Sequence, residues 1–253
     1  MKVAVVTPTI GTPYLSECLK SVDEQTYQNL THYIFLDGEE YSNKILHQLD
    51  GFEKVKTVRL QENIGKGWYG HRVYAACSFL VNADIICYLD EDNWIEPNHI
   101  EALVSTIRKN DLQWAYSLRK IYDKEGNYLC EDNCESLGKW PVYFDNNVHH
   151  VDTSCYAVKR DVAINIGHAW YGQWGADRKF FFNLAKYFPK FECSNKHSVC
   201  YRLDGNANSV SKDFFEVGNN ENLLKYGGEY PWKQEQHSLQ VAPGISVVFS
   251  ASD

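Results

Sequence analysis

Residues 85–92 read Ile85-Ile86-Cys87-Tyr88-Leu89-Asp90-Glu91-Asp92, five largely apolar residues that stop at three acids. A short apolar run bounded by charge is the pattern of a strand buried on both faces. Its abrupt end puts the carboxylates where the strand leaves its sheet. Three crowded like charges are costly without a cation, and hard carboxylate oxygens suit magnesium or manganese. A local account competes: Asp92 or Asn93 caps a helix that begins near Pro97.

Toward the N-terminus the same grammar repeats. Residues 3–6 (Val-Ala-Val-Val) form a strand that stops at Thr7-Pro8-Thr9, and Tyr14, Leu15, Cys18, Leu19 and Val22 follow at helical spacing. Tyr33 to Leu36 predicts a second strand ending at Asp37-Gly38, Tyr41 to Leu49 a helix, and Val55 to Leu60 a third strand. A Gly-rich turn, Asn63-Ile64-Gly65-Lys66-Gly67, precedes a helix over Val73 to Val81. Strands alternating with helices argue for a parallel sheet with helices on both faces, and such sheets bind ligands outside the carboxyl ends of their strands. Thr7, Thr9, Asp37, Asn63 and the 90–92 acids are therefore expected to line one crevice.

Toward the C-terminus the pattern predicts a helix from Pro97 to Lys109, a strand over Gln113 to Leu118, and a hairpin at Lys124-Glu125-Gly126-Asn127. Residues 130–150 read as irregular, Cys155 to Val158 as a strand, and Asp161 to Ile166 and Ala176 to Tyr187 as helices. Of the Asn-, Ser- and Gly-rich tail after Gly205, only Ile245 to Phe249 is expected to be ordered, as a strand.

Composition narrows the partners. Lys+Arg 25 against Asp+Glu 33 gives the 253 residues a formal net charge of -8, which offers no electrostatic footprint for nucleic acid. No apolar run approaches the roughly 20 residues of a spanning helix. Neither a transmembrane segment nor a signal peptide is expected, so the expected location is the cytoplasm, with peripheral membrane contact allowed. The eight cysteines contain no C-x-x-C pair and read as reduced core thiols. Cys130, Cys134, His149 and His150 match no standard zinc spacing. Aromatics crowd one stretch, Trp140, Tyr143, Phe144, Tyr156, Trp170, Tyr171 and Trp174, and indole and phenol faces suit sugar rings.

Four ordered stretches, Val5 to Thr9, Leu36-Asp37-Gly38, Asn63-Ile64-Gly65 and Tyr88 to Asp92, together resemble the family 2 glycosyltransferases of GT-A fold. The resemblance implies an α/β chain with a Rossmann-like, mostly parallel central sheet, helices on both faces and a smaller mixed sheet in the acceptor half. It implies that Thr7, Pro8 and Thr9 line the nucleotide pocket, that Asp37 bonds the base, and that Asn63 and Gly65 flank the nucleotide. Asp90 and Asp92 match the family's D-x-D, which holds a divalent cation (Mn or Mg) on the donor diphosphate, with Glu91 between them. Where the family places an Arg, this chain has Gly70, so Lys66 and Arg72 become the donor-binding cations. Trp174-Gly175-Ala176-Asp177-Arg178 is similar to the family's G-E-D segment and implies Asp177 as catalytic base. Tyr201-Arg202-Leu203-Asp204 is similar to its late Y-R-x-H segment, with Asp204 as a third metal ligand. Trp140, Trp170, Tyr171 and Trp174 are expected to hold the acceptor.

The implied activity is metal-dependent, inverting transfer of a sugar from a nucleotide donor, a UDP-sugar above others, to a glycan or lipid-linked saccharide. A retaining transferase, a sugar-nucleotide nucleotidyltransferase and a non-catalytic carbohydrate-binding module remain alternatives. A nucleotidyltransferase normally shows a G-x-G-T-R loop after the first strand, where this chain has Thr9-Ile10-Gly11-Thr12-Pro13, which places it second among the enzymes. One domain is expected over 1–253, with a nucleotide-binding half (1–96), an acceptor half (97–215) and a C-terminal extension (216–253).

Overall fold

A computed structural model describes residues 1–203 and 210–233. Both Asp204 and the strand expected at 245–249 lie outside the described residues. The parallel core consists of β1 (Val3–Thr9), β2 (Leu30–Asp37), β3 (Val55–Leu60) and β4 (Ile85–Tyr88), joined through α1 (Leu15–Asp23), α2 (Ser42–Leu49) and α3 (His71–Leu80). All residues of β4 are buried, as is most of β1, which explains their unbroken apolar character. Alternation sorts β2 between two layers. Ile34 and Leu36 pack with Leu15, Leu19 and Ile45 of α1 and α2, while Tyr33 and Phe35 join Val73, Tyr74 and Cys77 of α3 in the main core.

The second half adds β5 (Trp94–Ile95), α4 (His99–Lys109), β6 (Trp114–Tyr122), β7 (Tyr128–Glu131), β8 (Tyr156–Lys159), α5 (Arg160–Ile166), α6 (Ala176–Tyr187), β9 (Phe191–Arg202) and α7 (Lys212–Lys225). The sheet order is β3-β2-β1-β4-β8-β6-β9-β5, with β7 on β6. The mixed part continues the parallel part, because β8 pairs antiparallel with both β4 and β6. Among the described residues no helix is long and apolar enough to cross a membrane. All eight cysteines carry free thiols, seven of them buried.

Three elements escape the sequence reading: the two-residue β5, β9 and α7. The middle of β9, Ser194 to His197, is polar, Asn195 has a positive φ of 56°, and the pairing with β6 shifts register, so the alternation of a strand is broken. The Asn and Gly residues of α7, read as loop signals, are packing contacts instead. Asn219 Nδ2 donates to the Glu131 carbonyl and Asn222 Nδ2 to that of Asn133, at 2.8 and 2.9 Å. A Cβ on Gly218 would stand 2.6 Å from the Tyr143 ring and 2.8 Å from Cys134, so only glycine lets the helix approach. The expected boundary between 215 and 216 falls inside this continuous helix.

One buried ion cluster ties the irregular 132–152 segment to the sheet. Arg119 on β6 donates through Nε to Asp132 (2.8 Å), through Nη1 to Asp152 (2.7 Å) and through Nη2 to Glu135 (2.5 Å). All four residues are buried. Burial pushes the Asp132 carboxyl up, but Arg119 and the N–H groups of Cys134 and Ser136 outweigh it and bring it below the usual range. The associated stability is present above the unfolded carboxylate value and is lost as pH falls through the lower folded value. Replacing Arg119 with Met strands three buried carboxylates and is expected to cost about 3–5 kcal/mol in urea unfolding at neutral pH, with a smaller loss in acid.

Candidate active site

The register brings the carboxyl ends of the parallel strands together. Thr9 lies opposite Leu36, Asp37 opposite Leu60, and Val6 opposite Tyr88, so the expected motifs converge on one side of the sheet. The structure then assigns their side chains unequal tasks.

Asp37 builds the turn beside it. Its Oδ1 accepts from Ile64 N and its Oδ2 from Gly65 N, each at 2.8 Å. A Cβ at Gly65 would stand 2.3 Å from that carboxylate, which is why the turn needs glycine there. Burial pushes the Asp37 carboxyl up, against the lowering effect of both N–H groups. Since each oxygen already has a backbone donor, a base could use only the remaining lone pairs. A shallow pocket lined by Glu39, Ser42, Arg59, Leu60 and Gln61 opens at the ends of β2 and β3.

Glu91 likewise organises backbone. It accepts from the Thr9 hydroxyl (2.6 Å), Ile10 N (3.1 Å) and Thr12 N (2.9 Å), closing the loop between β1 and α1. The Thr7 hydroxyl is buried and bonded to His32 Nε2 at 2.9 Å. Burial lowers that imidazole to about 3, so it is neutral there. Thr7, Thr9 and Glu91 therefore shape the crevice wall through interior bonds, and their polar atoms are not directed at a nucleotide as expected. Pro8, half-buried, lies against Gly70.

Gly70 explains the missing family Arg. Its φ is +72° and a Cβ would stand 3.2 Å from Pro8 Cγ, so a side chain is strained there on both counts. Two residues on, the Arg72 guanidinium lies 3.9 Å over the Trp68 ring and 5.7 Å over that of Tyr171. Its Nη1 reaches the Ile64 carbonyl at 3.4 Å, and its buried Nε has no hydrogen-bond partner among the described residues. The cation thus sits beside the Asn63–Gly65 turn. Lys66 is exposed.

Asp92, Asp152 and Asp177 all act electrostatically on Asp90 at the end of β4. Asp90 accepts from the Tyr74 hydroxyl at 2.8 Å. Burial, then repulsion from Asp92, Asp152 and Asp177, raises its carboxyl well above the ordinary range, against the Tyr74 hydrogen bond. The turn after it is held by Arg202, whose Nε donates to the Asp92 carbonyl (3.2 Å) and whose backbone N donates to Asn93 Oδ1 (3.0 Å). Asp177 sits in the first turn of α6, after Gly175 with φ +84°, and its Oδ1 accepts from Arg178 N at 2.8 Å. Among the described residues, no three His, Cys, Asp or Glu form a metal-binding group. The Cys130, Cys134, His149 and His150 combination falls under the same statement.

The expected acceptor aromatics divide. Tyr171 and Trp174 are exposed, and Tyr171 packs on Trp68 at 4.9 Å. Trp140 is half-buried against Trp232. Trp170 is a correction: it has no exposed surface and stacks on Phe180 at 4.2 Å, a core residue with no face for a sugar. Sequence reasoning missed Trp68, Tyr69, Arg119, Asp152 and the pairing of His150 with Asp177. A signal existed for the first two, since Trp68-Tyr69 lies between Gly67 and Gly70 in the same Gly-rich turn.

Comparisons with known proteins agree with this fold. The chain resembles crystal structures of residues 1–349 of S. aureus TarS, with a TM-score of 0.62 and 14% identity over 80% of this chain and 60% of that one. A complex of the same fragment with UDP-GlcNAc gives 0.62 and 15% over 88% and 67%. At such identity the likeness speaks for the fold. An uncharacterized Haemophilus influenzae protein is 32% identical over 104 residues, 34% of this chain and 70% of its own length. The sequence model of Glycosyl transferase family 2 matches residues 4–173, and with most of the crevice inside that span, the chain belongs to this family.

Proposed function

We propose that the protein transfers a sugar from a nucleoside diphosphate donor, a UDP-sugar, to a hydroxyl of a glycan or lipid-linked saccharide, with inversion and with help from a divalent cation. The observation that carries this reading is the electrostatic crowding of Asp90 by Asp92 and Asp177 at the strand ends, together with a cation, Arg72, at the Asn63–Gly65 turn. The UDP-GlcNAc complex of TarS supports the choice of donor.

The donor set of a cation here is two carboxylates, Asp90 and Asp92. That fits a magnesium or manganese ion shared with phosphate oxygens and does not fit a cage made by protein alone. Repulsion at Asp90 is the observation that favours such an ion, since a positive charge there relieves it. Bound with the donor, the ion neutralises charge on the leaving diphosphate. Asp204 stands as a further candidate ligand.

The protein's own groups supply the rest. Arg72, 3.9 Å over the Trp68 ring and 5.7 Å from that of Tyr171, presents guanidinium N–H groups toward the phosphates beside the Asn63–Gly65 turn. Asp177, placed within hydrogen-bond reach of the acceptor hydroxyl, takes its proton as the new C–O bond forms and the bond to the diphosphate breaks. In-line attack from that side inverts the anomeric centre. Tyr171 and Trp174 offer exposed faces for the acceptor ring, and Trp140 a half-buried one.

Three outcomes are expected. With manganese and a panel of sugar nucleotides, Asp177→Asn should release nucleotide at least about 100-fold more slowly than wild type, with donor KM little changed; unchanged turnover removes Asp177 as base, and NMR of the product anomer reads the stereochemistry. Arg72→Gln should raise donor KM about tenfold, roughly 1.4 kcal/mol, with a smaller effect on kcat. Asp90→Asn should abolish manganese-dependent nucleotide binding in calorimetry yet raise the melting temperature by about 2–4 °C, because the amide keeps the Tyr74 hydrogen bond without the repelled charge.

A further inference from the structure

Behind Asp177 stands a buried imidazole with no part in cation or donor binding. His150, 4% exposed, lies in the segment between β7 and β8. Its Nε2 is 3.6 Å from Asp177 Oδ2, and its Nδ1 is buried with no hydrogen-bond partner among the described residues. A buried ring nitrogen left unpaired costs on the order of 1–3 kcal/mol, so its position is set by something stronger. The backbone supplies that constraint: Gly138 N donates to the His150 carbonyl at 2.8 Å, and the neighbouring His149 Nδ1 is bonded to the Gly138 carbonyl at 2.8 Å.

The two oxygens of Asp177 are thus addressed from two elements. Oδ1 accepts from Arg178 N within α6, and Oδ2 faces the clamped imidazole. Other charged and titratable groups surround the pair without replacing the imidazole. Asp90 at the end of β4, His71 on α3 and Tyr156 on β8 interact electrostatically with Asp177. His71 Nδ1 is committed to the Gly172 carbonyl at 3.0 Å, and Asp152 to Arg119. Arg178 is drawn toward Glu135, 3.6 Å away.

We propose that His150 is the positioning residue of Asp177: in its neutral form, with the hydrogen on Nε2, it steers Oδ2 so that the carboxylate meets the acceptor hydroxyl. This rests on Asp177 being the base. The tautomer follows from which nitrogen faces the carboxylate.

The test uses His150→Ala and His150→Gln, whose folding is checked by thermal melting. His150→Ala should lower kcat about 10- to 100-fold with donor KM within about twofold, as a misoriented base does. His150→Gln, which still offers an N–H to Oδ2, should keep most of kcat, so that the conservative variant rescues what alanine loses. Wild-type kcat in both variants would overturn the proposal. A second readout does not depend on turnover. The NMR signals of the His150 ring, identified by their absence in the Gln variant, should move in Asp177→Asn, because the ring faces that carboxylate. Unchanged signals overturn the pairing. If the signals move while Asp177→Asn turns over normally, the pairing stands and the base assignment fails instead.

Discussion

A single guanidinium on β6 answers three buried carboxylates, and the electrostatics of the crevice depend on that arrangement. Arg119 cannot be deprotonated at any biological pH, and its fork meets Asp132, Glu135 and Asp152 from three nitrogens. Acids outnumber the cation, so the cluster keeps a negative excess beneath the strand ends. Asp152 passes that excess on to Asp90, whose carboxyl it helps to raise. Glu135 passes it to Arg178, the residue after Asp177. The formal charge of -8 is therefore not spread as a solvated film alone. Part of it is concentrated where a diphosphate and its counter-ion are proposed to bind, and a metal-free crevice repels the ligand that a charged one attracts.

The acids of the crevice divide into builders and binders. Asp37 and Glu91 use their oxygens on backbone N–H groups and so give shape to the 63–65 turn and the 9–12 loop. Asp92 and Asp177 instead act on Asp90 through their charge, and these three are the acids proposed to serve the reaction. Sequence motifs name both kinds in one breath because both are short acidic side chains at strand ends. Only the direction of the bonds separates them.

The parallel half was legible because β1 and β4 are apolar on both faces and its turns carry glycine, so local pattern and tertiary burial agree. The helix at 176–187 has the expected limits for the same reason, with Phe180, Phe181 and Leu184 on one buried stripe. Legibility fails where a residue's partner is remote. Thr7 appears as a pocket residue until His32 is brought beneath it, and Trp170 appears as a sugar platform until Phe180 covers it. Likewise Arg119, His150 and the asparagines of α7 have meaning only through contacts made across the fold. Loop-like composition misrepresents α7 because its Asn and Gly residues satisfy buried carbonyls and permit close approach, tasks that local propensity does not encode.

The division between Asp90 and Glu91 also says what kind of change this crevice tolerates over evolutionary time. Neighbouring carboxylates point to opposite duties, one toward Tyr74 and the facing acids, the other into the loop that follows β1. A one-residue insertion before Asp90 would exchange those duties while leaving the acidic composition intact. What descendants of this chain must inherit is the phase of a short stretch of backbone, so drift here is expected to proceed by substitution and to avoid changes of length.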